Sequence, residues 1–197
     1  MNIGKHQWDC MAMRRPTYVG AQYSIGVFLQ AEDGIRGLFG TGVQTCALPI
    51  SDLVGADWLA DLDGVAPEVD LLVHCAASFA PYGPLEEVAV DVVRNVLEVG
   101  ALAALRLSQH VVGGMKERGF GRIVSVGSVA ATYGAGGQVA YATAKAALVG
   151  MTRTLAVEGG RSGVTANLVE LGLVETERVE REIDPAIRER LIGSTAI

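Results

Sequence analysis

GRIVSVGSVAATYGAGGQVAYATAKAALVGMTRTLAVEG, residues 121–159, is the stretch on which the fold turns. It opens with an apolar, β-branched run, Ile123-Val124-Ser125-Val126, stopped by Gly127, and such a run reads as a buried strand. A small-residue loop over 130–137 follows. Ala144, Ala147, Leu148, Met151 and Leu155 then recur at helical spacing, which predicts a helix over 140–156. Strand, loop and helix make half of a βαβ unit, and open parallel sheets bind ligands just beyond the carboxyl ends of their strands. Ser128 sits at that end. Tyr141 and Lys145, four apart, share one face of the helix's first turns.

These three side chains suit proton transfer to a carbonyl oxygen. A phenol with an ordinary pKa of about 10 exchanges protons poorly near neutrality. A neighbouring ammonium favours the phenolate and makes the phenol more acidic. A hydroxyl from Ser128 then holds the carbonyl oxygen while Tyr141 passes it a proton. Tyr and Lys four apart occur on many helices by chance. The strand, the upstream serine and the alanine-rich flank turn the pair into a candidate site.

Tyr141-Ala142-Thr143-Ala144-Lys145, with Ser128 before it, resembles the Ser-Tyr-Lys core of the short-chain dehydrogenase/reductase family, in its 3-oxoacyl-reductase-like form. The resemblance runs from Asp52 to about Arg190. It implies an α/β fold, a Rossmann-like doubly wound parallel sheet with helices on both faces. It implies hydride transfer between NAD or NADP and a carbonyl or secondary alcohol. Tyr141 would act as acid/base, Lys145 would tune it and bind the ribose, and Ser128 would orient the substrate oxygen.

Further positions follow from the same resemblance. Asp52 and Leu53 match the pair at the end of the third strand, where the carboxylate meets the adenine. Residues 70–77 read as the next buried strand, and His74-Cys75-Ala76-Ala77 stands where the family has Asn-Asn-Ala-Gly, a backbone contact to the cofactor. His74 reads as a hydrogen-bonded core histidine and Cys75 as a small buried hydrophobe. Residues 164–169 read as a later strand, followed by Gly172, Val174 and Thr176 in the segment beside the nicotinamide, with Leu171 in place of the family's proline. Asp184-Pro185 opens a short charged helix to Leu191.

Between these strands, residues 84 to about 117 read as one long helix. Pro84 starts it, Glu86 and Glu87 occupy its first turn, and Lys116, Arg118 and Gly119 mark its end. The family's asparagine, which helps hold a proton-relay water, falls on Gly100. Glycine offers no side chain for that role, so any such water would be held by backbone alone. The same helix and the one carrying Tyr141 are the faces expected to pair in a dimer or tetramer.

Residues 1–51 do not continue this pattern. They carry a net charge near +1, which leaves −7 of the total −6 for the remainder. The segment offers one possible strand, around residues 23–29. The glycines of 34–42 resemble a phosphate loop in composition only, because Pro49 stands where the following helix would run. Residues 31–36 and 41–50 read as the translation of a sequencing-library adaptor. The expectation is a non-native or disordered segment over 1–51 and a partial Rossmann domain over 52–197, lacking its first βα unit and its last strand.

Composition bounds the function classes. A net charge of −6 argues against a nucleic-acid partner, which needs a basic face. No apolar run approaches the ~18 residues of a membrane span. Three cysteines cannot make a disulfide framework and point to a reducing, cytoplasmic setting. No metal ligand set stands out. The competing expectation is a non-catalytic binding or regulatory protein, or an inactive fragment, on the same architecture.

Overall fold

Leu71-Leu72-Val73-His74, Gly121–Ser128 and Val164–Leu171 form adjacent parallel strands, as their β-branched apolar runs require. The computed structural model describes residues 68–174 and 177–193, with Leu59 and the short segments 10–11, 25–28 and 45–46. In chain order the strands are β1 (Cys10–Met11), β2 (Ile25–Phe28), β3 (Thr45–Cys46), β4 (Leu71–His74), β5 (Gly121–Ser128) and β6 (Val164–Leu171). β1 and β3 pair antiparallel, while the main sheet runs β2-β4-β5-β6, all parallel. The strand expected near 23–29 is therefore β2, matched residue for residue to β4.

The helices are α1 (Val90–Leu97), α2 (Ala103–Glu117), α3 (Val129–Tyr133), α4 (Val139–Gly159), α5 (Glu177–Glu182) and α6 (Pro185–Gly193). Burial alternates along β5, with Ile123 and Ser125 buried and Val124 and Val126 half-buried between them. The buried side meets α2 and α4. Leu72, Ile123, Val164 and Ala166 from the strands pack with Ala103, Leu107, Val111 and Met115 of α2. A second cluster, Val96 with Ala140 and Ala144, joins α1 to α4. Burying each of the Leu, Ile, Val and Met side chains among them contributes about 1.5–3 kcal/mol, and α2 and α4 are held on the sheet mainly by such burial.

Three expectations are corrected. The strand read over 70–77 is β4 alone, because beyond His74 the chain turns away into an irregular segment. The loop read over 130–137 begins with α3, whose start is capped by Ser128 Oγ accepting from Ala130 N at 3.2 Å. The long helix from Pro84 is broken. Leu85–Glu87 makes one 3₁₀ turn, Val88 and Ala89 are extended, and the regular helix starts at Val90. Val88, extended at φ −77° and ψ 114°, lines the same groove as Phe79 and Tyr141. Farther on, Glu98–Leu102 is a π-helical turn between α1 and α2.

Gly100 sits in that π turn, and a Cβ placed on it would lie 3.3 Å from Ala144 Cβ of α4. Glycine in a helix costs up to about 1 kcal/mol against alanine. Here its missing side chain lets two helices approach directly over the catalytic-candidate turn. Gly163, at φ 73°, makes the tight return from α4 into β6 with its own backbone against Gly119. The helix expected from Asp184 to Leu191 is α6, and the Asp184 carboxylate accepts from Ala186 N at 2.8 Å at its start.

Candidate active site

A strand ending in a small-residue turn must hand its chain to a helix, and that geometry gathers the site. β5 delivers Ser128 to its carboxyl end, nine-tenths buried. α4 begins eleven residues later at Val139, which puts Tyr141 and Lys145 on its first two turns. Lys145 is 2% exposed, and its Nζ donates to the Val126 carbonyl oxygen at 2.7 Å. The same nitrogen lies 5.7 Å from the centre of the Tyr141 ring. Tyr141 and Lys145 are thus brought together. Ser128 stands two residues beyond the carbonyl that anchors Lys145.

Burial sets the electrostatics. Taking the Lys145 ammonium out of water lowers its pKa from 10.5 to about 8, while the Cys75 sulfur pulls it partly back. Burial pushes the Cys75 thiol up, against the influence of Lys145. His74, 1% exposed, is lowered to about 3, first by burial and then by the Lys145 charge. Both His74 ring nitrogens lack a hydrogen-bond partner among the described residues, which corrects the expectation of a hydrogen-bonded core histidine. Cys75 is half-buried rather than a core residue.

The remaining expected positions divide. Cys75, Ala76 and Ala77 follow β4 at the carboxyl edge of the sheet, beside the end of β5. Gly172 lies just past β6, with open space where a Cβ would stand, and Val174 is exposed close by. Asp52, Leu53 and Thr176 lie outside the described residues. The residues present fit the nicotinamide-ribose end of a dinucleotide. An ammonium has three donors, of which the Val126 carbonyl engages one, and Gly172 leaves the backbone approachable. Among the described residues no cluster of His, Cys, Asp and Glu could hold a metal ion.

Two participants escaped the sequence reading. One is the Val126 carbonyl, a backbone atom that no side-chain pattern advertises. The other is Phe79, whose ring stacks on Tyr141 with centroids 5.1 Å apart and planes 16° apart. An aromatic in the loop after a strand's carboxyl end was the available signal for it. Residues 79–82 and 137–141 flank a small groove, tied across by Gly83 N donating to Gly137 O at 3.1 Å.

Comparison with known proteins agrees with this geometry. The short chain dehydrogenase family model matches residues 57–186. The chain is 37% identical over 110 residues to the 3-oxoacyl-[acyl-carrier-protein] reductase FabG of Escherichia coli, covering 56% of this chain and 45% of that protein. It is 30% identical over 167 residues to the 3-oxoacyl-[acyl-carrier-protein] reductase MabA of Mycobacterium bovis, covering 85% and 65% respectively. The crystal structure of a 3-oxoacyl-[acyl-carrier protein] reductase from Brucella melitensis superposes with a TM-score of 0.68 at 26% identity, covering 74% of this chain and 56% of that one. The chain spans between about a third and two thirds of the length of such curated relatives.

Proposed function

The chain belongs to the short-chain dehydrogenase family, and from that premise we propose that it is an NAD(P)-dependent oxidoreductase interconverting a carbonyl and a secondary alcohol. The observation that carries the reading is the buried Lys145 ammonium, fixed on the Val126 carbonyl and 5.7 Å from the centre of the Tyr141 ring. The nicotinamide, when bound, supplies or takes up the hydride. In the reducing direction Tyr141 gives its phenolic proton to the carbonyl oxygen, and the Lys145 charge steadies the phenolate left behind. Ser128 Oγ already accepts from Ala130 N, so its own hydrogen is the one it can donate to that oxygen.

Lys145 has donors left for the ribose hydroxyls, and the backbone of Cys75, Ala76 and Ala77 with Gly172 and Val174 would line the nicotinamide end. Asp52, Leu53 and Thr176 complete the proposed cofactor set. The substrate is a small-molecule carbonyl or alcohol; FabG and MabA are 3-oxoacyl-[acyl-carrier-protein] reductases, and a 3-oxo group is a ketone, which agrees. We place the protein in the cytoplasm on its cysteine usage. Among the described residues no helix is long and apolar enough to cross a membrane. Leu102 and Leu105, exposed on α2 and at its start, support pairing of α2 and α4 in a homodimer or tetramer.

A second reading, binding without turnover, is favoured by Leu171 in place of the family's proline and by Gly100, whose close approach to Ala144 leaves no room for a relay side chain. One experiment separates the two. Following NADH and NADPH oxidation with ketones, Tyr141→Phe should lose 10²- to 10⁴-fold in kcat and keep its cofactor affinity. Equal turnover by wild type and variant would remove Tyr141 from the chemistry. No turnover by wild type, with cofactor bound, would favour the binding reading.

A further inference from the structure

One carboxylate at the carboxyl ends of β5 and β6 has no part in the proton transfer. Register sets Gly127 beside Glu170 and Ser128 beside Leu171, so Glu170 leaves β6 level with the start of α3. Thr132 stands about one helical turn beyond Ser128, the residue that caps α3. Its Oγ1 donates to Glu170 Oε1 at 2.8 Å, a bond that ties α3 to β6 across thirty-eight residues of chain. Ser128, Thr132 and Glu170 thus form one rim. An exposed glutamate ordinarily sweeps through solvent, but this one is held. A carboxylate has two oxygens with about four lone-pair sites, and Thr132 takes one of them. Among the described residues Glu170 forms no ion pair. Tyr133, the next residue of α3, is 84% exposed and brings an aromatic ring to the same rim.

We propose that Glu170, held in place by Thr132, is a specificity-determining residue that favours a ketone carrying a cationic substituent and disfavours an anionic one. The inference rests on the oxidoreductase reading above, because it takes the reacting carbonyl to lie at Ser128. A substituent reaching out of the site past Ser128 meets a fixed negative charge one helical turn away. An ammonium there gains attraction from the carboxylate and finds an aromatic face in Tyr133. A carboxylate there is repelled. The site's own ammonium, Lys145, does not offset this, since it is buried on the Val126 carbonyl and forms no ion pair with Glu170. Exposed charges change binding only a few-fold each, but attraction of one ligand adds to repulsion of the other. The two kinds of ketone should therefore differ by roughly tenfold.

The test uses the full chain with levulinate, its methyl ester and the trimethylammonium ketone of the same chain length. Binding is read by ligand-observed NMR, and turnover with NADH or NADPH is followed in parallel. The cationic ketone should bind roughly tenfold more tightly than levulinate at low salt, and the gap should shrink at high ionic strength. Glu170→Gln keeps an acceptor for Thr132 but removes the charge, and should bring the two ketones level. Thr132→Val keeps the charge but releases it, and should narrow the gap without closing it. The methyl ester and melting curves report whether each variant site is intact. Equal binding of the two charged ketones, a preference unchanged in Glu170→Gln, or no binding of the cationic ketone would overturn the proposal. A charge preference lost in Glu170→Gln without turnover would uphold the rim and sink the oxidoreductase reading instead. Turnover with a preference indifferent to Glu170 would do the reverse.

Discussion

The Lys145 ammonium donates to the Val126 carbonyl at 2.7 Å, so the helix that carries Tyr141 is locked to the strand that ends in Ser128. This bond is made by a charge buried to 2% exposure, and the burial has a cost that pH reveals. Unfolded, the lysine titrates at 10.5; folded, at about 8. Between those values the unfolded chain holds more protons, so stability rises with pH through that window and is lower by roughly 3 kcal/mol below it. Denaturant midpoints at pH 7.5 and 9.5 should therefore rise in the wild type relative to Lys145→Met, other lysines cancelling in the comparison. A parallel pair of pH dependences would show that the ammonium is not desolvated. In turnover the sign is opposite. The ammonium supports the phenolate only while charged, so kcat/KM for ketone reduction should fall above about pH 8, and Lys145→Met should lose that limb with most of its rate.

His74 gives a second pH window. Its pKa falls from 6.5 to about 3 on folding, driven by burial and then by Lys145. The neutral ring contributes fully above pH 6.5, and stability is lost as pH drops toward 3, by about 1.4 kcal/mol per pH unit within the window. Both ring nitrogens are without partners among the described residues, a burden of about 1–3 kcal/mol each. His74→Leu should then cost little or nothing at pH 7 and flatten the decline between pH 6.5 and 4 in urea melts. A loss of 2 kcal/mol or more at pH 7 would mean that the imidazole is hydrogen-bonded after all.

Much of this arrangement was legible from residues 121–159 alone. The apolar run and the helical spacing of Ala144, Leu148 and Leu155 marked β5 and α4 because one element's side chains decide both. Ser128 was placed by the end of the strand, yet its capping of α3 was not, since a serine at a strand end and a serine at a helix start read alike. The single long helix after Pro84 was misread for a physical reason. Helical propensity is local, whereas Gly100 lies close against Ala144, forty-four residues away, and Val88 shares a groove with Tyr141, fifty-three away. The Phe79 stack is likewise a contact between residues sixty-two apart, and an aromatic in the loop after a strand's end was its one local sign.

Arg118 ties the end of α2 to the start of β4 with one guanidinium. Its Nε donates to Asp70 Oδ1 at 3.1 Å and a second nitrogen to the Val69 carbonyl at 2.8 Å. Asp70 is only 6% exposed, so removing its partner strands a carboxylate. Arg118→Ala should lose about 2–3 kcal/mol in chemical denaturation, less than a fully buried pair because the Arg118 side chain is 28% exposed. Arg118→Lys should recover less than half, since a lysine cannot reach both acceptors in one geometry. Full recovery by lysine would show that charge alone, without the forked geometry, makes the tie.

Gly100 and Ala144 should behave as one unit. A methyl on Gly100 would meet the Ala144 methyl at 3.3 Å, tighter than ordinary contact, so α4 must yield by a few tenths of an ångström. Against that stands the ~0.5–1 kcal/mol that alanine gains over glycine in a helix. Moving the methyl from one helix to the other removes the clash and keeps the gain at position 100. Gly100→Ala should therefore be more favourable in an Ala144→Gly background than alone, with a coupling of at least ~0.5 kcal/mol in a double-mutant cycle. Gly100→Asn, a larger intrusion over the turn that holds Tyr141 and Lys145, should cost about 1–3 kcal/mol. Its displacement of α4 should also loosen the Lys145–Val126 bond, so the variant would slow turnover even though it installs the amide that the family uses. Simple additivity of Gly100→Ala and Ala144→Gly would show that the two helices have slack at this crossing. In that case the π turn would need a cause other than close approach.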